Sequence, residues 1–345
     1  MSDVTAWRMP SETAPHDCTW MAFPPASPSL GSDPTEIEVA RRVWTETAHT
    51  VLDFEPVVMM VDPADVALAR RMLSSEVTLV EQPLDDAWMR DIGLTFVLDD
   101  EGHLGGVDWT FNGWGGQDWA AWDRDLHVAA AMAEVAGCVH LPSTLVNEGG
   151  GIHVDGLGTV LVTETVQLDP GRNPGLTRSA VERELAARIG ADQVVWLRRG
   201  LTRDYQEFGT RGHVDIVATI PSPGTVLVHD QRNSEHPDHA VTAEVLRTLA
   251  SSADSRGEAF EVLALPAPAT LRDDGGFVDY SYVNHLVVNG GVVACTFGDP
   301  VDDEALEVLA ATYPGRTVVG VDAREIFARG GGVHCITQQQ PARPA

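Results

Sequence analysis

Cys335 lies in a run of glycine and polar residues, Gly330-Gly331-Gly332-Val333-His334-Cys335-Ile336-Thr337-Gln338-Gln339-Gln340-Pro341, and two His-Val-Asp triplets stand upstream of it, His153-Val154-Asp155 and His213-Val214-Asp215. A thiol leading into an apolar strand reads as a buried structural cysteine. One preceded by three glycines reads as a nucleophile, because residues without a Cβ let the backbone approach a ligand and leave the sulfur accessible. The imidazoles and carboxylates of the triplets would supply the proton transfers that such a nucleophile needs.

Composition narrows the chemistry. All 23 basic residues are arginine and the chain contains no lysine. Schiff-base chemistry, a phosphate-binding Walker lysine, a kinase lysine and a Ser-x-x-Lys nucleophile are therefore excluded. What remains is chemistry run by Cys, His and carboxylates, with no cofactor expected. The net charge of −28, from 51 acidic residues against 23 basic ones, argues against nucleic acid or an anionic membrane as partner. It suits a cationic small molecule, although solubility alone would also account for it. The four cysteines, Cys18, Cys138, Cys295 and Cys335, form no C-x-x-C pair, so neither a zinc ribbon nor a disulfide framework is indicated and reduced thiols in the cytoplasm are expected. The segment Met1–Pro10 has no basic stretch leading into an apolar one, and no apolar run reaches the roughly 18 residues that span a bilayer.

The elements that must position these residues recur at a nearly fixed interval. Short apolar strands are expected at Leu94–Leu98, Thr159–Thr163, Thr225–His229 and Leu286–Thr296, the last split in two around Asn289-Gly290-Gly291. Phe96, Val160, Val226 and Val292 are 64, 66 and 66 residues apart. Amphipathic stretches that suit helices fall between them: Trp122–Ala136, Ser179–Ile189, His239–Ser251 and Asp303–Tyr313. A repeat of about 65 residues divides the chain into roughly five strand-and-helix units, the mark of a radial or stacked architecture in which neighbours bury each other's apolar faces. An ordinary α/β sheet with regular strand spacing is the alternative. No linker or composition break divides the chain, so residues 1–345 are read as one domain.

Five polar segments lie near the ends of the expected strands: Trp88-Met89-Arg90-Asp91, Phe111-Asn112-Gly113-Trp114-Gly115-Gly116, Asn147-Glu148-Gly149-Gly150-Gly151, Arg211-Gly212-His213-Val214-Asp215 and the Cys335 loop. Together with Arg8-Met9-Pro10, Trp20-Met21-Ala22-Phe23-Pro24, Arg172-Asn173-Pro174 and His334–Pro341, and in this order, they resemble the agmatine deiminase family, related to the bacterial peptidylarginine deiminases within the guanidine-modifying superfamily. The resemblance runs nearly end to end. It implies a five-fold pseudosymmetric α/β propeller (pentein), in agreement with the period counted independently.

The resemblance further implies a metal-free hydrolase that takes agmatine to N-carbamoylputrescine and ammonia, a polyamine-related reaction. Asp91 and Asp215 would grip the guanidinium, Cys335 would attack its central carbon, and His213 with Glu148 would handle protons. Trp88 and Trp114 would wall the substrate's methylene chain, whereas His153 and Asp155 would shape the Glu148 loop and His334 would turn away from the reacting carbon. The chain departs from the family pattern at Phe208-Gly209-Thr210-Arg211, at Gly93-Leu94 and in a cysteine loop one residue short, Gly332-Val333-His334. Arg211 is counted with the substrate-binding residues. It would either pair with a substrate carboxylate, favouring arginine or a guanidino acid, or point outward or be neutralised by Asp204 or Glu207, with agmatine then the substrate. Two other readings are a hydrolase with divalent metal on His153, Asp155, His213 and Asp215, and a polyamine binder without turnover. Homo-oligomerisation is left open.

Overall fold

The computed structural model describes residues 6–344; Met1–Thr5, the start of the segment read for a leader, and Ala345 lie outside the described residues. One pattern repeats in five sheets: an antiparallel strand pair whose second member is joined by a parallel third strand. Thr95–Asp99 pairs with Leu104–Thr110, which runs parallel to Val139–Val146. Ile152–Val154, Thr159–Thr163 and Gln193–Leu197 repeat the arrangement. So do Ala218–Ser222, Thr225–Asp230 and Glu261–Pro266, and then Leu286–Val288, Gly291–Thr296 and Thr317–Asp322. The fifth sheet uses both ends of the chain. Its strand Thr337–Pro341 pairs antiparallel with His16–Ala22, which is followed in parallel order by Val57–Val61 and Thr78–Glu81.

A parallel pair cannot be closed by a hairpin, so every second-to-third strand connection carries a crossover helix. These helices are Pro34–Leu52, Val128–Ala136, Arg178–Ile189, Asp238–Ala250 and Asp302–Thr312. The five-bladed α/β propeller expected from the repeat is thus present. Two local expectations are corrected. Thr95–Asp99 is the first strand of its blade, whereas the strands holding Val160, Val226 and Val292 are second strands. The true equivalent, Leu104–Thr110, carries Gly105-Gly106 and Asp108, residues that weaken a strand pattern. The helix expected from Trp122 begins only at Val128, after a 3₁₀ turn at Asp125–His127. Asp85 accepts the Arg124 amide and Asp125 accepts the Asp85 amide, each at 2.8 Å, and these tethers hold the approach in a turn.

Ring closure rests on buried contacts between the first and last segments. Trp20, 1% exposed, packs near Phe96 and donates its indole N–H to Gln340 Oε1 at 3.0 Å across the closing strand pair. Glu55 accepts from the Thr19 hydroxyl at 2.6 Å and the Asn289 amide at 2.7 Å, and meets the His16 ring at 3.2 Å, which joins the fifth blade to the fourth. Among the described residues no helix is long and apolar enough to cross a membrane. Trp20→Ala removes the largest side chain of this seam and the closer donor to Gln340 Oε1, leaving only the Cys18 thiol at 3.7 Å. It is expected to lower stability by about 3–5 kcal/mol in denaturant unfolding.

Candidate active site

The five sheets converge on one centre, and each blade delivers a polar residue from the segment just before its first strand. Asp91 precedes Thr95, Glu148 precedes Ile152, His213 and Asp215 precede Ala218, Asn284 precedes Leu286, and Cys335 precedes Thr337. All six are buried, Cys335 to 4% exposure. The first four and Cys335 were expected here. Asn284 was not, because nothing in Tyr282-Val283-Asn284-His285 distinguishes it from any asparagine at a strand entrance.

The segments are clamped to one another at close range. Asp91 Oδ1 accepts the Gly150 amide at 3.0 Å and Oδ2 accepts the Trp114 indole N–H at 2.9 Å. The Gly150 carbonyl in turn accepts the amides of Val214 and Asp215. A Cβ at Gly150 would stand 2.5 Å from His213 Nδ1, so only glycine lets the Glu148 loop approach the histidine. His213 Nε2 meets Glu148 Oε2 at 3.2 Å, while Nδ1 is buried without a hydrogen bond, 3.9 Å from Asp91 Oδ2. Cys335 Sγ lies 3.4 Å from Asp215 Oδ2.

The electrostatics follow from that packing. Burial alone would lower the His213 pKa, but the Asp91 charge and the hydrogen bond and charge of Glu148 outweigh it and carry the imidazole up to about 9. Burial would raise Glu148, yet the Arg172 guanidinium and His213 hold it below the usual carboxylate range. Arg172 grips Glu148 through Nε at 2.9 and 3.0 Å, and its remaining donors go to Asp169 and to the Thr210 carbonyl. Asp215 is likewise kept low against burial by its 2.9 Å hydrogen bond to His334 Nδ1. Burial pushes Asp91 up. It also pushes the Cys335 thiol well above its ordinary value, reinforced by the charges of Asp215 and Asp91.

Behind the site, His334 Nε2 meets Glu12 Oε1 at 2.8 Å, and His153 and Arg90 each come within 3.6 Å of the same carboxylate. His334 therefore does turn from the substrate space, but it does so while tethering Asp215. His153 does not shape the Glu148 loop: its Nε2 is spent on Thr219 Oγ1 at 2.5 Å. Asp155 accepts the amides of Leu157 and Thr159 and closes their turn. The His153, Asp155, His213 and Asp215 set proposed for a metal is thus divided among separate partners. Among the described residues, the trio of acidic and imidazole groups close enough to share an ion is Glu12, His153 and His334. The Arg90 guanidinium already occupies its electrostatic role.

A cleft of about 600 Å³ leads away from Cys335, lined by His213, Asp215, Phe208 and Tyr280 and by four further acids, Asp204, Glu207, Asp273 and Asp279. A smaller hollow on the other side of Phe208 is lined by Trp88, Asp91, Trp114, Trp119 and Cys335, so both expected tryptophans face the sulfur. Trp114, Trp119 and Phe208 form an aromatic chain with ring centroids 5.2 Å apart at each step. Among the described residues, the non-glycine residues at positive φ are Trp114, Phe208 and Arg211, at 54°, 64° and 67°. All three lie in the loops bordering the site, where backbone strain is often held.

Arg211, counted with the substrate-binding residues, is not among them and takes the outward alternative. Its guanidinium leaves the cleft and meets the Gly115 carbonyl at 3.2 Å and Asp169 Oδ2 at 3.6 Å, on an open groove lined by Glu164, Leu168 and Tyr205. The acids expected to neutralise it are engaged elsewhere or remote: Asp204 accepts the amides of Thr210, Gly212 and His213. The left-handed backbone at Arg211 points its side chain outward.

The chain matches the Porphyromonas-type peptidyl-arginine deiminase family over residues 8–341. It is 54% identical to a Streptomyces coelicolor protein provisionally named agmatine deiminase, over 97% of this chain and 99% of that one. It is 39% identical to the agmatine deiminase of Stutzerimonas stutzeri, over 97% and 95% of the two chains. The solved agmatine deiminase of Enterococcus faecalis superposes with a TM-score of 0.91 at 33% identity, covering 100% of this chain and 99% of its own.

Because the raised His213 pKa lies above the ordinary 6.5, the group favours the folded state fully below about pH 6.5, and this contribution is lost as pH rises through about 9. Glu148→Gln removes one source of the shift. The His213 midpoint, followed by NMR titration, is expected to fall from about 9 toward 6.5, and the variant should lose the stability advantage that wild type holds inside that window. An unmoved midpoint would show that Glu148 does not set the histidine's charge.

Proposed function

The chain belongs to the Porphyromonas-type peptidyl-arginine deiminase family, and from that premise we propose that it hydrolyses the guanidinium of agmatine to N-carbamoylputrescine and ammonia as a single catalytic domain. The carrying observation is one buried centre holding a thiol, an imidazole raised to about 9 and three carboxylates, opening into a cleft lined by further acids. A cytoplasmic site of action, where free thiols stay reduced, belongs to the same proposal.

Asp91 and Asp215 accept the N–H groups of the planar guanidinium, a match of charge and fork geometry that fixes the carbon near Sγ. Asp215 Oδ1 is buried without a partner and is free for this contact. The bound cation offsets the carboxylate charges that hold the thiol protonated, so substrate favours its own nucleophile. The thiolate pair forms the S–C bond and the C=N π pair moves to nitrogen. His213, protonated, gives its Nδ1 proton to the departing nitrogen; the C–N bond breaks and ammonia leaves a thiouronium on Cys335. Neutral His213 then takes a proton from water as the oxygen bonds to carbon. Collapse breaks the S–C bond, returns the pair to sulfur and yields the ureido product, its last proton going to ammonia. Glu148, held by Arg172, keeps the Nε2 end of His213 charged and oriented throughout.

The outer cleft favours a second cation over a carboxylate. Arg203 is engaged by Asp273 in a two-point pair at 2.7 and 2.5 Å, which leaves it no free fork for a substrate carboxylate. Asp279 is in no ion pair among the described residues, and burial with the charges of Asp204 and Asp238 pushes it up to about 7, a state that an ammonium would relieve.

Ammonia release assayed across agmatine, arginine and guanidino acids is expected to be greatest with agmatine and to vanish in Cys335→Ala; full turnover by that variant would refute the nucleophile. Arg211→Asn is expected to leave the agmatine-to-arginine ratio of kcat/KM within about threefold, since the guanidinium lies outside the cleft. A shift beyond about tenfold, roughly 1.4 kcal/mol of discrimination, would return Arg211 to the substrate.

A further inference from the structure

Glu12 has no part in the chemistry above, yet it reaches the back of the reacting centre from the other end of the chain. It lies between the strands Trp7–Arg8 and His16–Ala22, where the His16 ring meets its carbonyl through Nε2 at 3.1 Å while Nδ1 is spent on Glu55. The buried Glu12 carboxylate shares one ring with Asp215: His334 Nε2 stands 2.8 Å from Glu12 Oε1, and Nδ1 stands 2.9 Å from Asp215 Oδ2. A neutral imidazole has a single N–H, and only the imidazolium donates at both ends. Two ionised carboxylates on one ring therefore call for its charged form. With it the buried group balances, Arg90 and His334 against Glu12 and Asp215, because burial carries His153 and His285 down to about 4 and leaves both neutral. Tyr313, hydrogen-bonded to His285 on the far side, is pushed up by burial and adds no charge. Burial and the Arg90 charge act to deprotonate His334, and Glu12 with Asp215 outweighs them and raises it.

We propose that Glu12 is a positioning residue: by accepting the Nε2–H of His334 it holds the ring charged and turned so that Nδ1–H lies on Asp215 Oδ2, which leaves Asp215 Oδ1 for the guanidinium. Asp215 Oδ1 is the oxygen buried without a partner, and Oδ2 is the one 3.4 Å from Cys335 Sγ. The His334 hydrogen bond thus decides which oxygen faces the sulfur and which is left for substrate. Arg90 does a different job. Its amide donates to the Cys335 carbonyl at 3.0 Å and its Nε to the His334 carbonyl at 3.2 Å, so it fixes the backbone of the cysteine loop, whereas its Nη1 comes only within 3.6 Å of Glu12. His153 Nδ1 is also 3.6 Å from Glu12, which leaves the His334 ring as the short contact of the carboxylate. Without the Glu12 charge, Arg90 would face His334 uncompensated and drive off its proton. Asp215, kept low against burial by that ring, would then rise toward protonation and lose the charge that grips the substrate.

The inference rests on the guanidine-hydrolase reading for what Asp215 Oδ1 holds, but its first measurement needs neither substrate nor variant. Histidine ¹⁵N NMR of the wild-type chain, with His334 assigned from its backbone, is expected to show both ring nitrogens protonated at about pH 7.5. A single ring N–H there would overturn the proposal. In Glu12→Gln, whose carbonyl oxygen still accepts the Nε2–H but carries no charge, the His334 midpoint is expected to fall by at least about one pH unit. Agmatine kcat/KM is expected to fall about tenfold at about pH 8 and to come within about threefold of wild type below the new midpoint, where the ring is charged in both proteins. His213 and Cys335 titrate in both, so their ionisation cancels from the variant-to-wild-type ratio. An unmoved His334 midpoint, or a deficit of the same size at every pH, would overturn the proposal and reduce Glu12 to a brace for the first segment. Failure of wild type to release ammonia from any guanidino compound would instead refute the functional reading, leaving the two ring N–H signals to stand.

Discussion

Carboxylates must stay charged at the centre of this molecule without water to solvate them. Glu12, Asp91, Glu148 and Asp215 are all nearly inaccessible, and a buried unpaired carboxylate would take up a proton rather than remain ionised. The structure meets the constraint for Glu12, Glu148 and Asp215 by giving each a charged or ionisable partner that holds it low, whereas Asp91, with neutral hydrogen-bond donors, stays pushed up by burial. Glu148 has Arg172 and His213, Asp215 has His334, Glu12 has His334 and Arg90, and Asp91 has the Trp114 indole and the Gly150 amide. Replacing one partner would leave a buried charge uncompensated, which is why the set behaves as a unit.

The same constraint explains the backbone. Donors can reach buried acids only if loops from different blades approach almost to contact, and glycine permits that at Gly150 and Gly332. Where a larger residue is needed as a wall, the chain adopts left-handed backbone at Trp114 and Phe208 instead. The aromatic chain Trp114–Trp119–Phe208 then walls one side of the sulfur and lowers the local dielectric there, which strengthens the charge interactions beside it.

Two layers of acid serve different ends. The inner layer is compensated and rigid, poised for one cationic fork. The outer layer, with Asp279 unpaired and Arg203 held by Asp273, is an electrostatic funnel that suits a dication entering guanidinium first.

Much of this was legible in the chain itself. The spacing of Val160, Val226 and Val292 reflects the size of one strand-helix-strand unit, and the positions of Asp91, Glu148, His213, Asp215 and Cys335 at strand entrances follow from it, since a closed ring brings equivalent strand ends together. Residue type and order sufficed for these because their chemistry is intrinsic to the side chain. What sequence could not decide was orientation and partnership. Arg211 reads as a substrate neighbour by its two-residue distance from His213, yet a left-handed φ swings it to Asp169, 42 positions away in the chain. His334 reads as a bystander and proves to hold Asp215 by a hydrogen bond; Arg172 reads as part of a motif and proves to hold Glu148. Asn284 carries no local mark at all. Hydrogen bonds between residues tens to hundreds of positions apart exist only once the ring has closed, so the tertiary structure alone assigns each buried charge its partner.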